Sequence, residues 1–98
     1  MTWPASEDQA YAKDIARRLR VRRVVLDLTQ QEVADRSGVT RNVVSAFERT
    51  AMGLDLTRLR RIARALGLPL PELVDEDADA LTMALRAGSD PGPAPRRR

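Results

Sequence analysis

The sequence predicts an all-α fold of five short helices packed around one aliphatic core. Its 98 residues are the length of a single domain. It has one Trp, one Tyr and one Phe although 43% of its residues are hydrophobic, so Leu, Val, Ile and Ala must form the core. Apolar residues recur at steps of three and four along most of the chain, which is the period of amphipathic helices.

The first predicted helix has an apolar stripe, with arginines on its other faces. The three- or four-residue period runs through Tyr11, Ile15, Leu19, Arg22-Arg23 and Leu26, and the arginines assigned to the other faces are Arg17, Arg18, Arg20 and Arg22. Ser6 and Gln9 have the spacing of a capping box, so residues 1–11 form an N-terminal extension that could lengthen this helix. We expect the helix to end near Asp27.

Capping signals divide the next stretch into two helices, Gln30–Arg36 and Arg41–Arg49. Thr29 has the form of an N-cap, with Glu32 three residues later as the reciprocal carboxylate. Gly38 can take the positive φ that a tight turn between the helices requires. Thr40 is the expected N-cap of the second helix in this pair.

A fourth helix and a short fifth helix complete the predicted domain, which spans residues 12–75. Asp55 is the expected N-cap of the fourth helix, and Gly67 ends it. Its apolar stripe consists of Leu56, Leu59, Ile62, Ala63 and Leu66, and the arginines off this stripe are Arg58, Arg60, Arg61 and Arg64. The fifth helix falls within Leu68–Val74, with Pro71 near its first turn.

Two further segments follow this domain. Residues 76–87 are acidic and predict a marginal helix over Asp79–Ala87, on which Leu81 and Leu85 align. Residues 88–98 contain three Pro and two Gly, so they are predicted to be a disordered tail.

The composition argues against catalysis and against a membrane location. The chain has no Cys and no His, so the commonest metal ligands and general bases are missing. We therefore expect no catalytic residue, no metal site and no cofactor. No apolar run approaches the roughly 18–20 residues of a membrane span, and the N-terminus lacks the pattern of a secretory signal. The expected location is the cytoplasm, without a membrane partner.

The net charge of +3 conceals an uneven distribution along the chain. Ala12–Arg64 contains 13 Lys and Arg against 6 Asp and Glu, whereas Ala65–Asp90 contains 6 acidic residues and a single arginine. A basic body beside an acidic segment suggests one face for a polyanion and another face that avoids it.

Twenty residues, Gln30–Arg49, match the spacing of a helix-turn-helix motif. The constrained positions are the small Ala34, the turn residue Gly38, and the apolar Val39, Val44 and Phe47. The constraint is steric, because a bulky side chain where the two helices touch would push them apart. Five such positions at fixed spacing make a fairly specific signal.

The flanking residues extend this match to a known family. With Leu-x-Leu-Thr-Gln-Gln-Glu-Val-Ala before the turn and Arg-Ala-Leu-Gly-Leu-Pro-Leu after it, the chain resembles the Cro/XRE family of lambda-repressor-like DNA-binding domains. The resemblance covers Ile15–Val74 and implies a five-helix domain that usually binds double-stranded DNA as a homodimer, at a pseudo-palindromic operator. It implies base contacts from Arg41, Asn42, Ser45 and Ala46, phosphate contacts from Gln30, Thr40 and Arg49, and a structural ion pair between Arg23 and Glu48.

The residues themselves agree with this interpretation, with two departures. The Arg41 guanidinium suits guanine O6 and N7, and the Asn42 amide suits adenine N6 and N7. However, Thr50-Ala51-Met52 stands where the family usually has Gly and basic residues that touch the DNA backbone. Val43 is apolar where small polar residues are common, which fits either a partner contact or an enlarged core.

These observations predict a sequence-specific transcriptional regulator that represses other genes or its own. We expect self-association through the end of the fourth helix and Leu68–Val74, together with Leu81 and Leu85. The alternative is a protein-binding regulator such as an antitoxin, whose acidic Glu72–Asp79 segment or C-terminal tail masks a basic toxin while DNA binding is secondary. A neighbouring gene for a small basic RNase-like protein would favour this alternative.

Overall fold

The computed structural model describes residues 5–51 and 54–75, which contain five α-helices and no strand. The helices are α1 (Ala5–Val25), α2 (Gln30–Ser37), α3 (Arg41–Thr50), α4 (Leu56–Ala65) and α5 (Leu70–Leu73). The predicted all-α fold is therefore confirmed. The predicted helix at Asp79–Ala87 and the predicted tail, residues 88–98, lie outside the described residues.

The helices α2, α3 and α4 begin where their capping residues predict. The Thr29 hydroxyl accepts a hydrogen bond from the Glu32 amide at 3.0 Å, and the Glu32 carboxylate accepts one from the Thr29 amide at 2.9 Å. Thr40 and Asp55 cap α3 and α4 in the same way, through bonds of 3.2 and 2.8 Å from the amides three residues later. These side chains satisfy amide groups that a helix leaves unpaired at its start.

Gly38 makes the turn between α2 and α3. Its φ is +77°, and its amide donates to the Ala34 carbonyl at 2.9 Å. A Cβ placed on Gly38 would meet no atom within 4 Å. The turn therefore requires glycine for its backbone conformation and not for lack of space.

The predicted N-cap of α1 is wrong, whereas its end lies near the predicted Asp27. The helix is already formed at Ala5, so Ser6 lies inside it and is not its N-cap. At the other end, α1 stops at Val25 because Asp27 takes a φ of +58°, which turns the chain out of the helix. Aspartate tolerates this left-handed conformation better than most residues.

The core lies between the helices, where α2 contacts both α3 and α4, α1 contacts α3, and α5 contacts α4. Its buried members include Ile15, Ala16, Leu19, Leu28, Val33, Ala34, Val39, Val44, Phe47, Ile62, Ala63, Leu66, Leu68 and Leu73. Val43 is half-buried and packs against this cluster, so of the two readings of this residue the structure supports the enlarged core. No helix in the described ranges is long and apolar enough to cross a membrane.

Two arginines of α1 occupy core positions, which the prediction placed on its outer faces. Arg18 and Arg22 both have 0% exposure. The Arg22 Nε donates to the Leu66 carbonyl at 2.8 Å, at the end of α4. Arg18 donates to the carbonyl of Leu73, the last residue of α5, and to the Asp14 carboxylate. The prediction was wrong because helices α4 and α5 end with unpaired carbonyls that need buried donors.

Two residues of the predicted self-association face belong to the core, since Leu68 and Leu73 are 2% and 0% exposed. Leu70 and Val74 of the same face are half-buried, and Leu81 and Leu85 lie outside the described residues. Conversely Leu56, which was expected on the buried stripe of α4, is 68% exposed. The first turn of α4 thus extends past the core.

We expect Arg22→Ala to lower the free energy of unfolding by more than about 2 kcal/mol. The substitution leaves the Leu66 carbonyl buried without this donor, which by itself costs about 1–3 kcal/mol, and it opens a cavity. Burial lowers the pKa of Arg22, but the guanidinium remains protonated at neutral pH. Urea denaturation measures the effect, and Arg20→Ala, at an exposed position of the same helix, should change stability by no more than about 0.5 kcal/mol. Equal effects of the two substitutions would contradict the buried role of Arg22.

Candidate nucleic-acid interface

The helix α3 separates its buried and exposed faces cleanly. Val44 and Phe47 are buried against the core. Arg41 and Asn42, in the first turn, are exposed, and so is Arg49 in the last turn. Asn42 and Arg49 lie seven residues apart and therefore share one face of the helix. Two arginines and an amide thus line the side of α3 that the other helices in residues 5–51 and 54–75 leave exposed.

Ser45 and Ala46 lie on this side of α3 but are half-buried. The Ser45 hydroxyl lies 3.5 Å from a terminal nitrogen of Arg49 and can accept a hydrogen bond from it. Ala46 has no side chain beyond Cβ, so a flat ligand can approach the helix closely there. On the helical period these two residues flank the exposed Asn42 and Arg49.

Thr40 and Gln30 stand at the starts of α3 and α2. Thr40 is exposed, and its hydroxyl oxygen accepts the Val43 amide, which leaves the hydroxyl hydrogen able to donate to an anion. The Gln30 side-chain nitrogen donates to Glu48 at 3.1 Å and has a second hydrogen to offer. Helix N-termini favour anions because their first amides and the helix dipole both point toward the ligand.

Glu48 joins three segments of the chain beneath this surface. Its carboxylate accepts two hydrogen bonds from Arg23, at 2.7 and 2.9 Å, and one from Gln30. Arg23 also donates to the Leu28 carbonyl at 2.7 Å, in the link between α1 and α2. The side chains of Arg23 and Glu48 are only 15% and 8% exposed. The pair therefore fixes the end of α1 and the start of α2 against α3.

A group of cations that the sequence prediction did not assign lies beside α3. Lys13, Arg17 and Arg20 of α1 line a cleft together with Glu48 and Arg49. Their spacing of four and three residues was visible in the sequence, but their position next to Arg49 depends on how α1 packs on α3. The described residues contain no cluster of acidic, His or Cys side chains that could hold a metal ion.

We expect Glu48→Ala to lower the free energy of unfolding by about 3 kcal/mol, because it leaves the Arg23 guanidinium in a largely buried place without its carboxylate. An exposed ion pair would be worth at most about 1 kcal/mol. Chemical denaturation measures the difference, with Asp35→Ala as the control that removes an exposed carboxylate from α2. A stability equal to that of the control would show that the pair does not hold the helices together.

Comparison with known proteins agrees with this geometry. The helix-turn-helix family model matches residues 19–73, more than half of the chain. An uncharacterized HTH-type transcriptional regulator of Methanothermobacter thermautotrophicus is 44% identical over 60% of this chain and 90% of its own length. The cryptic phage CTXphi transcriptional repressor RstR of Vibrio cholerae is 31% identical over 71% of this chain, which spans 63% of that repressor. No solved structure matches significantly. The chain therefore belongs to the Cro/XRE-type helix-turn-helix family, whose members are DNA-binding transcriptional regulators.

Proposed function

We propose that this protein is a sequence-specific repressor, which inserts α3 into the major groove of its operator and blocks transcription there, including that of its own gene. The observation that carries the proposal is the position of Arg41 and Asn42. Both are exposed in the first turn of α3, on a helix whose opposite face is held in the core by Val44 and Phe47. The family relationship and the name of the Vibrio cholerae repressor support the same role.

Arg41 and Asn42 carry the chemistry of direct base readout. A guanidinium can donate two hydrogen bonds to guanine O6 and N7, and a carboxamide can donate to adenine N7 while accepting from N6. Ser45 and Ala46 lie next along the helix and are half-buried, so a base edge can come close to them. Specificity in this proposal comes from these four positions.

The orientation of α3 on the duplex depends on contacts with the phosphate backbone. Thr40 and Gln30 offer donors at the starts of α3 and α2, and Arg49 offers a guanidinium at the end of α3. Such contacts fix the register of a recognition helix without reading sequence. Because Gln30 is bonded to Glu48, its donor is held in a constant position relative to α3.

We further propose that the protein binds as a homodimer. One copy of α3 covers a single half-site, which limits both the affinity and the number of base pairs read. Two copies related by a two-fold axis would place two recognition helices about one DNA turn apart, and would match a pseudo-palindromic operator.

We expect Arg41→Ala and Asn42→Ala each to weaken binding to the selected operator by about 1–3 kcal/mol, with little change on random DNA, because each loses a bidentate base contact. The operator is first obtained by selection from a random duplex pool, and discrimination is then measured by competition binding. Arg64→Ala is the matched control, since it removes an exposed cation from α4. If both α3 variants distinguish the operator from random DNA as well as the wild type does, α3 does not read the bases.

The same selection tests the homodimer. We expect it to return an inverted repeat whose half-site centres are about 10–10.5 base pairs apart, roughly 34 Å, because this spacing places both helices on one side of the duplex. Sedimentation should show two chains on the full site and much weaker binding to an isolated half-site. A monomer that binds a single half-site as tightly as the full site would exclude the dimer.

A further inference from the structure

The outer face of α1 carries a row of cations that leads to the recognition helix. Lys13, Arg17 and Arg20 are exposed, and their spacing of four and three residues places them on one face of the helix. They line a cleft whose other wall is formed by Glu48 and Arg49 of α3. The row therefore begins beside the last turn of α3 and runs along α1 toward its N-terminus.

The charge of this cleft is not neutralised by neighbouring groups. Within the described ranges, 5–51 and 54–75, Lys13, Arg17 and Arg20 form no salt bridge. Glu48 is the acidic residue of the cleft, but its oxygens already accept hydrogen bonds from Arg23 and Gln30. Asp8 lines the adjoining concavity beyond Lys13, so the positive row ends there. Four cations thus face one engaged carboxylate, which favours a ligand with several negative charges.

We propose that this row, Lys13, Arg17 and Arg20, binds the phosphates of the DNA strand next to the base pairs that α3 reads. The proposal rests on the proposed function and adds a second contact region to it. Arg49 belongs to both surfaces, because it shares a face of α3 with Asn42 and also lines the cleft. A strand that passes Arg49 therefore continues directly to Arg20 and Arg17.

Two features of this sequence favour phosphate contacts from α1. The family model begins at residue 19, so Lys13 and Arg17 lie before the matched segment, on the N-terminal half of the 21-residue α1. After Arg49 the sequence has no Lys or Arg before Arg58, so the residues that follow α3 offer no cation at this end of the helix. Cations on α1 would supply backbone contacts at the same end of α3.

The test compares two triple substitutions that remove the same charge from different helices. One is Lys13→Gln with Arg17→Gln and Arg20→Gln, and the control is Arg60→Gln with Arg61→Gln and Arg64→Gln on α4, all at exposed positions. Glutamine is a good helix former, so both proteins should keep the wild-type melting curve. Binding to the selected operator is measured over a series of salt concentrations.

The logarithm of the observed binding constant falls linearly with the logarithm of the salt concentration, and each phosphate contact contributes about 0.9 to the steepness of this line. We expect the α1 triple variant to reduce the steepness by about 2–3. The control should lower it by less than about 1. Discrimination between operator and random DNA should stay within twofold of wild type, because phosphate contacts do not read sequence. Arg17→Gln alone should give about a third of the slope change. Ethylation interference should show the affected phosphates outside the base pairs that α3 protects.

Three results would overturn the proposal. If the wild type selects an operator but the α1 triple variant has an unchanged salt slope, the α1 contacts are excluded and the proposed function stands. An equal reduction of the salt slope in the α4 triple variant would show that the effect comes from net charge alone. Wild-type DNA binding by the α1 variant, with loss of self-association in sedimentation, would assign the cleft to an acidic segment of a second copy. If the wild type selects no sequence, the proposed function fails as well.

Discussion

The contact between Arg23 and Glu48 is the interaction on which the position of α3 depends. It joins the C-terminal half of α1 to α3, and through Gln30 and the Leu28 carbonyl it also includes the start of α2. In the proposed complex, α3 can read bases only if its exposed side chains keep a fixed position relative to the phosphate contacts proposed for the other helices. An isolated pair of charges contributes little net stability. In this protein four hydrogen bonds converge on the two largely buried side chains, so removal of either one would leave its partners unsatisfied.

Arginine performs a second structural task in α1, at the ends of α4 and α5. Arg22 and Arg18 reach the carbonyls of Leu66 and Leu73, where the helices leave acceptors without partners inside the helix. An aliphatic side chain could fill the same volume but could not donate to these carbonyls. The buried arginines therefore determine how the last two helices dock, and the apolar residues supply most of the burial energy.

The sequence predicted those features that depend on residues close together in the chain. The caps at Thr29, Thr40 and Asp55 and the turn at Gly38 each involve groups no more than four residues apart, so their spacing is sufficient. The exposure of Arg41 and Asn42 followed from the 3.6-residue period of the helix. In contrast, the backbone carbonyls that accept from Arg18 and Arg22 lie 55 and 44 residues away. A pattern that counts arginine as polar places it outside, although positions 18 and 22 fall on the same stripe as Ile15 and Leu19.

The same reasoning explains why part of the candidate interface had to come from the structure. Charge along the sequence indicated that a polyanion would bind, but α1 carries its cations on several faces, and each face has a different role. One face inserts arginines into the core, the edge toward α3 forms the ion pair with Glu48, and the outer face leaves Lys13, Arg17 and Arg20 exposed. Only the packing of α1 on α3 distinguishes these roles, because it brings one face next to Arg49. Since the buried and paired arginines contact other helices and the exposed ones do not, replacing the exposed cations of α1 should leave the position of α3 unchanged.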